Sequence, residues 1–175
     1  MIFYCDGSCQ RNPDGPGGYA VVRKDKYTCA YIVETVERCE STTNNREELK
    51  SLIYVLEHFR PEEIEVIYMD SNYCVRIYNE WIDNWYNNNW KRSNNQPIEN
   101  LDLIKTLYKN INKNFTRCQV KWVKGHAGHV GNEIADAYAS NNQKKIEKLK
   151  QLYIIKDTDF CQARQLRFKQ NLTNF

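Results

Sequence analysis

The chain of 175 residues is long enough for one domain with a buried core and too short for two ordinary domains. Its 25 basic and 22 acidic residues give a formal net charge of only +3. The chain therefore lacks the strong excess of basic residues that is typical of many nucleic-acid-binding domains. Seven scattered cysteines and the lack of any apolar run near ~18 residues argue against a disulfide scaffold, a zinc site and a membrane span. We therefore expect a protein that is neither exported nor membrane-bound, with reduced thiols and a cytoplasmic or nuclear location.

The N-terminal part of the chain predicts three antiparallel strands. Residues 2–6 alternate in hydrophobicity and end at the Gly7 turn, so Asp6 lies at a strand end. A turn rich in glycine and proline follows, and it leads to strand-like runs at 19–23 and 27–34. The simplest arrangement of these segments is a meander.

A helix and a fourth strand come next. The helix predicted over 46–59 carries Glu48 in its first turn, toward the buried side, and Pro61 follows its end. The strand predicted over 64–70 ends at Asp70, so a second carboxylate terminates a strand. This strand–helix–strand order predicts a crossover that places a parallel strand beside the first three.

The second half of the chain continues the α/β alternation. In order, it predicts short helices over 72–90, an amphipathic helix over 101–111, a short strand over 119–123, a loop over 124–131 and a helix that carries Asp136 in its first turn. Residues 144–175 form a basic tail that we expect to be partly helical. The predicted fold class is therefore a mixed α/β sheet flanked by helices.

Four acidic residues are candidates for one metal site: Asp6, Glu48, Asp70 and Asp136. Hard divalent cations such as Mg²⁺ prefer carboxylate oxygens, and a carboxylate cluster beside a phosphodiester is typical of two-metal hydrolysis. Each acid has an ordinary alternative as a turn residue, a helix-dipole partner, a cap or an exposed acid. His126, between two glycines, is by itself more typical of a surface loop. Spacing alone leaves both interpretations open.

Seven segments in order resemble the type 1 ribonuclease H family of bacteria and eukaryotes. They are 6–8 (DGS), 12–18 (NPDGPGG), 42–49 (TTNNREEL), 69–71 (MDS), 81–85 (WIDNW), 122–129 (WVKGHAGH) and 132–136 (NEIAD). The short motifs are weak, whereas the blocks at 42–49 and 122–129 together are highly specific. The resemblance covers about residues 1–143, which we take as the catalytic domain, and leaves 144–175 as a basic extension.

The resemblance implies a mixed five-stranded sheet and Mg²⁺-dependent cleavage of the RNA strand of an RNA–DNA hybrid, with two ions per site and Mn²⁺ as a substitute. It assigns the four acids to metal binding and His126 to proton transfer or product departure, and it leaves Glu47 as a solvated helix residue. The implied products carry 5′-phosphate and 3′-hydroxyl ends, and we expect a monomer with the hybrid as its partner. The residues that match substrate-binding positions are Cys9, Asn12, Thr43, Asn44, Asn45, Asn72, Tyr73, Trp81, Asn84, Trp85 and Asn132.

The chain departs from the family at two places. Ser41 stands where many relatives have an arginine beside the DNA-phosphate pocket, and residues 86–96 replace a basic protrusion with a nearly neutral one. We expect the basic tail to supply hybrid affinity in its place. Two alternatives stay open: a catalytically silent hybrid-binding module, and a related-fold nuclease that acts on DNA.

Overall fold

The protein is built on one mixed sheet, and the computed structural model describes residues 1–113 and 117–158. The strands are β1 (Ile2–Cys9), β2 (Gly15–Lys24), β3 (Tyr31–Thr42), β4 (Val66–Met69), β5 (Gln119–Trp122) and β6 (Ile155–Asp157). The helices are α1 (Asn44–His58), α2 (Asn72–Arg76), α3 (Ile82–Asn87), α4 (Leu101–Asn112), α5 (Val130–Ala139) and α6 (Gln143–Leu152). A 3₁₀ turn at Pro61–Glu63 precedes β4, and a π-helical turn at Ile77–Trp81 joins α2 to α3.

The strand order is β5-β4-β1-β2-β3-β6. The pairs β1/β2 and β2/β3 are antiparallel, whereas β4 and β5 run parallel to β1. The predicted α/β fold, with a three-stranded meander followed by parallel strands, is therefore confirmed. The strand count differs, because β6 adds a sixth strand parallel to β3. Its three residues are too short to produce a readable alternation in the sequence.

The third strand begins later than predicted. Asp25 Oδ1 accepts hydrogen bonds from the backbone N–H groups of Tyr27 and Thr28 and from the Thr28 hydroxyl. This local turn holds residues 27 and 28 out of the sheet, so β3 starts at Tyr31 and continues to Thr42. The strand-like composition of 27–34 concealed the turn.

Helices cover both faces of the sheet. Phe3 and Cys5 of β1 pack into a cluster that α1 and α4 complete, whereas the intervening Tyr4 packs on the opposite side against α5 and α6. Alternate side chains of a strand point to opposite faces, so β1 is buried from both directions. β1 continues through Asp6 and Gly7 to Cys9, so the prediction that the strand ends at the Gly7 turn is wrong, and Asp6 lies within this central strand between two helix layers.

Two glycines permit the helices to approach β1 closely. A Cβ atom on Gly7 would lie 2.2 Å from the backbone nitrogen of Glu48, and one on Gly131 would lie 2.3 Å from the Tyr4 ring. Any larger residue would force α1 or α5 away from the strand. These contacts bring the helices that carry Glu48 and Asp136 to the strand that carries Asp6.

The state of the cysteines and the apolar length of the helices can be compared with the sequence analysis. The six cysteines within residues 1–113 and 117–158 are free thiols, and Cys161 lies outside the described residues. Over the same ranges, every helix is too short or too polar to cross a membrane.

Candidate active site

Three carboxylates meet where β4 ends beside β1. β1 and β4 are parallel neighbours with Cys5 opposite Met69, so Asp6 and Asp70 follow at adjacent positions. Glu48 reaches the same place from α1. One oxygen of each of Asp6, Glu48 and Asp70 lies within 4.8 Å of the others. Parallel strands and the helix that crosses between them thus bring together three of the predicted metal-site acids.

Burial and mutual repulsion make these acids hard to ionise together. Burial, followed by the charge of Asp70, raises the pKa of Asp6 to about 8. Burial raises the pKa of Glu48 well above its usual range, and the charge of Asp6 and a hydrogen bond between the two carboxyl groups add to that shift. Both residues are 5% exposed. The cluster therefore favours a bound proton or a bound cation over several bare anions.

The fourth predicted acid, Asp136, lies beside this cluster on α5. It stands in the second helical turn rather than the first, because α5 already begins at Val130. Its charge is close enough to contribute to the raised pKa of Asp6. Asp136 Oδ2 is 2.7 Å from Lys145 Nζ and 4.0 Å from His126 Nδ1. The histidine side chain is 76% exposed, so it lies at the solvent side of the site.

Two residues of the segment 125–132 support Asp70. The Asn132 side chain, 2% exposed, donates a hydrogen bond of 3.0 Å from Nδ2 to Asp70 Oδ2. Gly125 lies so close that a Cβ atom there would be 2.7 Å from the same oxygen. Asn132 had been predicted as a substrate-binding residue, and its observed contact is with the carboxylate of Asp70.

Glu48 fits a metal ligand better than its neighbour Glu47 does. Glu48 Oε2 is buried and has no hydrogen-bond partner among the described residues. Glu47, also buried, accepts a hydrogen bond of 2.6 Å from the Thr42 hydroxyl and forms an ion pair of 2.6 Å with Lys50. An unpaired buried carboxylate oxygen is costly, and a divalent cation would satisfy it. The donor set is all oxygen, which suits Mg²⁺ or Mn²⁺.

The prediction that Glu47 is a solvated helix residue is wrong. Its side chain is 1% exposed, and Cys39 Sγ adds a hydrogen bond to Oε1 from β3. The start of α1 packs closely on β1, since a Cβ atom on Gly7 would lie 2.2 Å from the Glu48 nitrogen and 2.9 Å from the Glu47 Cβ atom. Neighbouring polar residues in the sequence gave no sign of this contact.

The predicted hybrid-reading residues of the N-terminal half gather near the start of α1. Thr43 caps the helix by accepting a hydrogen bond from the Arg46 backbone N–H. Asn12 Oδ1 accepts one of 3.1 Å from the Asn44 N–H, which ties the turn after β1 to the helix. Asn44 and Asn45 are exposed, and Cys9 Sγ donates to the Thr42 carbonyl at 3.2 Å. The structure thus places all five residues on neighbouring segments and leaves both asparagines of α1 open to solvent.

The predicted aromatic surface lies along the helical segment from α2 to α3. The ring centroids of Tyr73 and Trp81 are 6.4 Å apart, and those of Trp81 and Trp85 are 5.5 Å apart. All three rings are half-buried against the core, so the tryptophans serve in packing as well as presenting surface. Asn72 and Asn84 are exposed on the same segment, and Asn84 Nδ2 donates to the Glu80 carbonyl.

The nearly neutral protrusion over 86–96 is held to the domain by aromatic contacts. Tyr86 stacks on Tyr108 of α4 with centroids 4.4 Å apart, and Trp90 meets the same ring edge-on at 5.4 Å. Of its two basic residues, Arg92 forms an ion pair with Glu99. The protrusion therefore keeps a defined attachment but offers little free positive charge.

Comparisons with known proteins agree with this geometry. The family model described as RNase H matches residues 1–144. The chain is 41% identical over 144 residues to "Ribonuclease H" of Lachnoclostridium phytofermentans, which covers 80% of this chain and 89% of that protein. It is 38% identical over 141 residues to "Ribonuclease H" of Rickettsia typhi, covering 79% and 88%.

Among solved structures, LC9-RNase H1, a type 1 RNase H with the type 2 active-site motif, is similar with a TM-score of 0.63 and 30% identity. The match covers 79% of this chain and 69% of that one. The foamy viral protease-reverse transcriptase in complex with RNA/DNA hybrid has a TM-score of 0.61 at 17% identity, which is a likeness of fold. That match covers 83% of this chain and 20% of the viral chain.

Proposed function

The chain belongs to the ribonuclease H family, and we propose that it cleaves the RNA strand of RNA–DNA hybrids at the site formed by Asp6, Glu48, Asp70 and Asp136. It is a ribonuclease H, a metal-dependent endonuclease. We propose Mg²⁺ as the metal, two ions per site in the presence of substrate, and Mn²⁺ as a substitute. The observation that carries the site assignment is the convergence of three carboxylates within 4.8 Å around a buried Glu48 oxygen that has no hydrogen-bond partner in the described part of the chain.

The roles of the residues follow from their positions. Asp6, Glu48, Asp70 and Asp136 would hold the metal. When bound there, Mg²⁺ supplies charge neutralisation and Lewis-acid polarisation of the scissile phosphate. Asn132 keeps the Asp70 carboxylate oriented through its 3.0 Å hydrogen bond. Water attacks the phosphorus and the bond to the 3′ oxygen breaks, so the products carry 5′-phosphate and 3′-hydroxyl ends.

His126 is suited to a proton-transfer or product-release role rather than to metal binding. It belongs to the loop before α5, its side chain is 76% exposed, and its Nδ1 atom is 4.0 Å from Asp136 Oδ2. An exposed imidazole at that distance can exchange protons with solvent and with the leaving strand. A histidine that binds a metal directly at this site would be expected to have a buried side chain, whereas that of His126 is exposed.

Hybrid selectivity would come from the surfaces beside the metal site. A hybrid-specific enzyme must sense the 2′-hydroxyl groups of one strand and the deoxyriboses of the other. Cys9, Asn12, Asn44 and Asn45, with Asn72, are proposed for the RNA strand. Thr43, Asn84 and the aromatic residues Tyr73, Trp81 and Trp85 are proposed for the DNA strand.

The proposed catalytic domain is residues 1–143, and 144–175 is an extension. In its described part, the extension supplies nearly all of α6, which packs on α5, and the strand β6 beside β3. One chain carries all four carboxylates, so the reaction needs no second copy and we propose a monomer. Sedimentation of the full chain at micromolar concentration would check this.

Cleavage assays separate this proposal from its alternatives. End-labelled hybrid, duplex RNA and duplex DNA would be incubated in parallel with Mg²⁺, with Mn²⁺ and with excess chelator. We expect cleavage of the RNA strand of the hybrid alone, dependent on the metal. Binding of the hybrid without cleavage would indicate a silent binding module, and cleavage of duplex DNA would indicate a DNA nuclease.

A further inference from the structure

One cationic side chain lies inside the acidic site. Lys145 Nζ is 2.5 Å from Glu133 Oε2 and 2.7 Å from Asp136 Oδ2. It therefore bridges one of the four proposed metal-binding acids and a second acid one helical turn earlier on α5. The Lys145 side chain is 25% exposed, so this ion pair is partly shielded from solvent.

The fold fixes the position of this ammonium group. Lys145 is the third residue of α6, and its backbone N–H donates to the Asn142 side chain that caps the helix. Ile146 and Leu149 on the same helix are buried against α5 and the sheet. The lysine is consequently presented to Asp136 by a docked helix rather than by a free loop.

The ammonium group lies where a metal ion would find ligands. Glu133 and Asp136 offer carboxylate oxygens within 4.8 Å of each other, which is a spacing that suits a shared cation. Lys145 already contacts both of these carboxylates. A lysine ammonium and a divalent cation at the same carboxylate repel each other at short range, so both cannot hold Asp136 on equal terms.

We propose that Lys145 is a positioning residue that holds Asp136 in the metal-free enzyme and competes with the divalent cation for that carboxylate. The inference rests on the proposed function, because it takes Asp136 as a metal-binding residue. In this arrangement the extension after residue 143 weakens metal binding and sets the concentration of Mg²⁺ that the enzyme requires. Lys145 also keeps Glu133 and Asp136 from repelling each other when no metal is bound.

A merely structural role for Lys145 predicts a different result. If the ion pairs only fastened α6 to α5, removing the ammonium would lower stability and would leave metal affinity unchanged or weaker. Competition predicts that the same change lowers the stability of the metal-free protein and tightens metal binding. Metal affinity therefore separates the two roles.

The test is isothermal titration calorimetry of MgCl₂ into metal-free full-length protein, without nucleic acid. The variants are Lys145→Met, Lys145→Gln, Lys145→Arg and the matched control Lys148→Met, whose lysine is an exposed residue of the same helix. We expect Lys145→Met and Lys145→Gln to bind Mg²⁺ about three- to fivefold more tightly, the range set by a partly exposed ion pair. Lys145→Arg and Lys148→Met should bind like the unsubstituted protein.

Thermal melts with and without Mg²⁺ give a second measure. Lys145→Met should have the lower Tm without metal and the larger rise in Tm on adding it. The proposal is overturned if both Lys145→Met and Lys145→Gln bind Mg²⁺ no more tightly than Lys148→Met. If the unsubstituted protein neither binds Mg²⁺ nor cleaves hybrid in its presence, the proposed function itself fails. If the unsubstituted protein binds Mg²⁺ and cleaves hybrid, but the Lys145 substitutions do not change the affinity for Mg²⁺, only the proposed competition is overturned.

Discussion

The Asn132 side-chain amide donates a hydrogen bond of 3.0 Å to Asp70 Oδ2, joining α5 to the end of β4. Asn132 lies one helical turn before Asp136, so the helix that presents one acid also orients another. The bond is buried and therefore contributes to a fixed geometry before any metal binds. A preorganised set of carboxylates reduces the rearrangement needed to bind a cation.

Asp70→Asn should abolish hydrolysis and leave hybrid binding largely intact. The substitution removes one anionic ligand, while the amide that replaces it can still accept the hydrogen bond from Asn132. Because the charge of Asp70 raises the pKa of both Asp6 and Glu48, its removal should also stabilise the metal-free protein. We expect Tm without metal to rise by about 2–4 °C, which is ~1 kcal/mol for a chain of this size.

Glu65→Gln is the matched control for that experiment. Glu65 is exposed and directly precedes β4, at the end of the strand away from Asp70, so its neutralisation removes one charge without touching the site. It should keep full activity and an unchanged Tm. Normal turnover by Asp70→Asn would show that Asp70 is not a metal-binding acid, and an unchanged Tm would show that the acids do not repel.

The metal-free protein should become less stable as the pH rises from about 4 to about 8. The raised pKa values of Asp6, about 8, and Glu48 mean that the folded protein holds these protons more tightly than the unfolded chain does. Their stabilisation is fully present below the unfolded carboxyl pKa of ~4 and is lost as the pH passes toward the folded values. Chemical denaturation at intervals of pH, in chelator, would measure this slope.

Two controls isolate the acidic cluster in the pH experiment. Glu48→Gln removes one of the titrating groups and should flatten the slope in chelator. Saturating Mg²⁺ should also flatten it, since the cation takes the place of the proton. A slope that is the same in all three cases would assign the pH dependence to groups elsewhere in the protein.

The fold and the proximity of Asp6 to Asp70 could be predicted because their signals are local, whereas the assignment of four acids to one metal site came from the resemblance of the motifs. Alternating residues identified β1 and a crossover placed β4 beside it, although β1 continues past Asp6 to Cys9 instead of ending there. Glu47 was misjudged because the start of α1 packs closely on Gly7 of β1, a residue far from it in the sequence. The periodicity of apolar residues predicted the helix α1, but it does not indicate which elements pack against each face of that helix.

Lys145 and β6 illustrate the same limit. The sequence presents Lys145 as one of several lysines in a basic tail, and only the docking of α6 on α5 brings it to Asp136. Likewise, Ile155–Asp157 becomes a strand because the edge of β3 is available to pair with it. Long-range contacts of this kind leave no periodic mark on the chain.

His126→Ala should lower kcat by about 10²- to 10⁴-fold, the usual contribution of a proton-transfer group. The Mg²⁺ dependence and the KM for hybrid should be nearly unchanged, because the exposed side chain is 4.0 Å from Asp136 and is not proposed as a ligand. His129→Ala is the control, since His129 is an exposed histidine at the end of the same loop. If the His126→Ala variant no longer binds Mg²⁺ in calorimetry, His126 is a metal ligand and not a proton-transfer or product-release residue.

The basic extension should supply part of the affinity for the hybrid. Deleting all of 144–175 would also remove β6, most of α6 and Lys145, so smaller changes are needed. Lys144→Gln with Lys148→Gln removes two exposed charges from α6, and truncation after Thr158 removes Arg164, Arg167 and Lys169, which lie outside the described residues.

Each of these two changes should weaken hybrid binding at low salt and flatten its salt dependence, since each phosphate contact adds close to one unit of slope. Turnover at saturating hybrid should remain, because the acids and His126 are untouched. Glu147→Gln is the control of opposite sign, as it removes an exposed acid from the same helix and should strengthen binding slightly. Fluorescence anisotropy with Asp70→Asn protein at several salt concentrations would measure affinity without cleavage. Equal affinity and equal slope in the lysine variant, the truncated protein and the full chain would mean that the extension serves the fold or another partner instead.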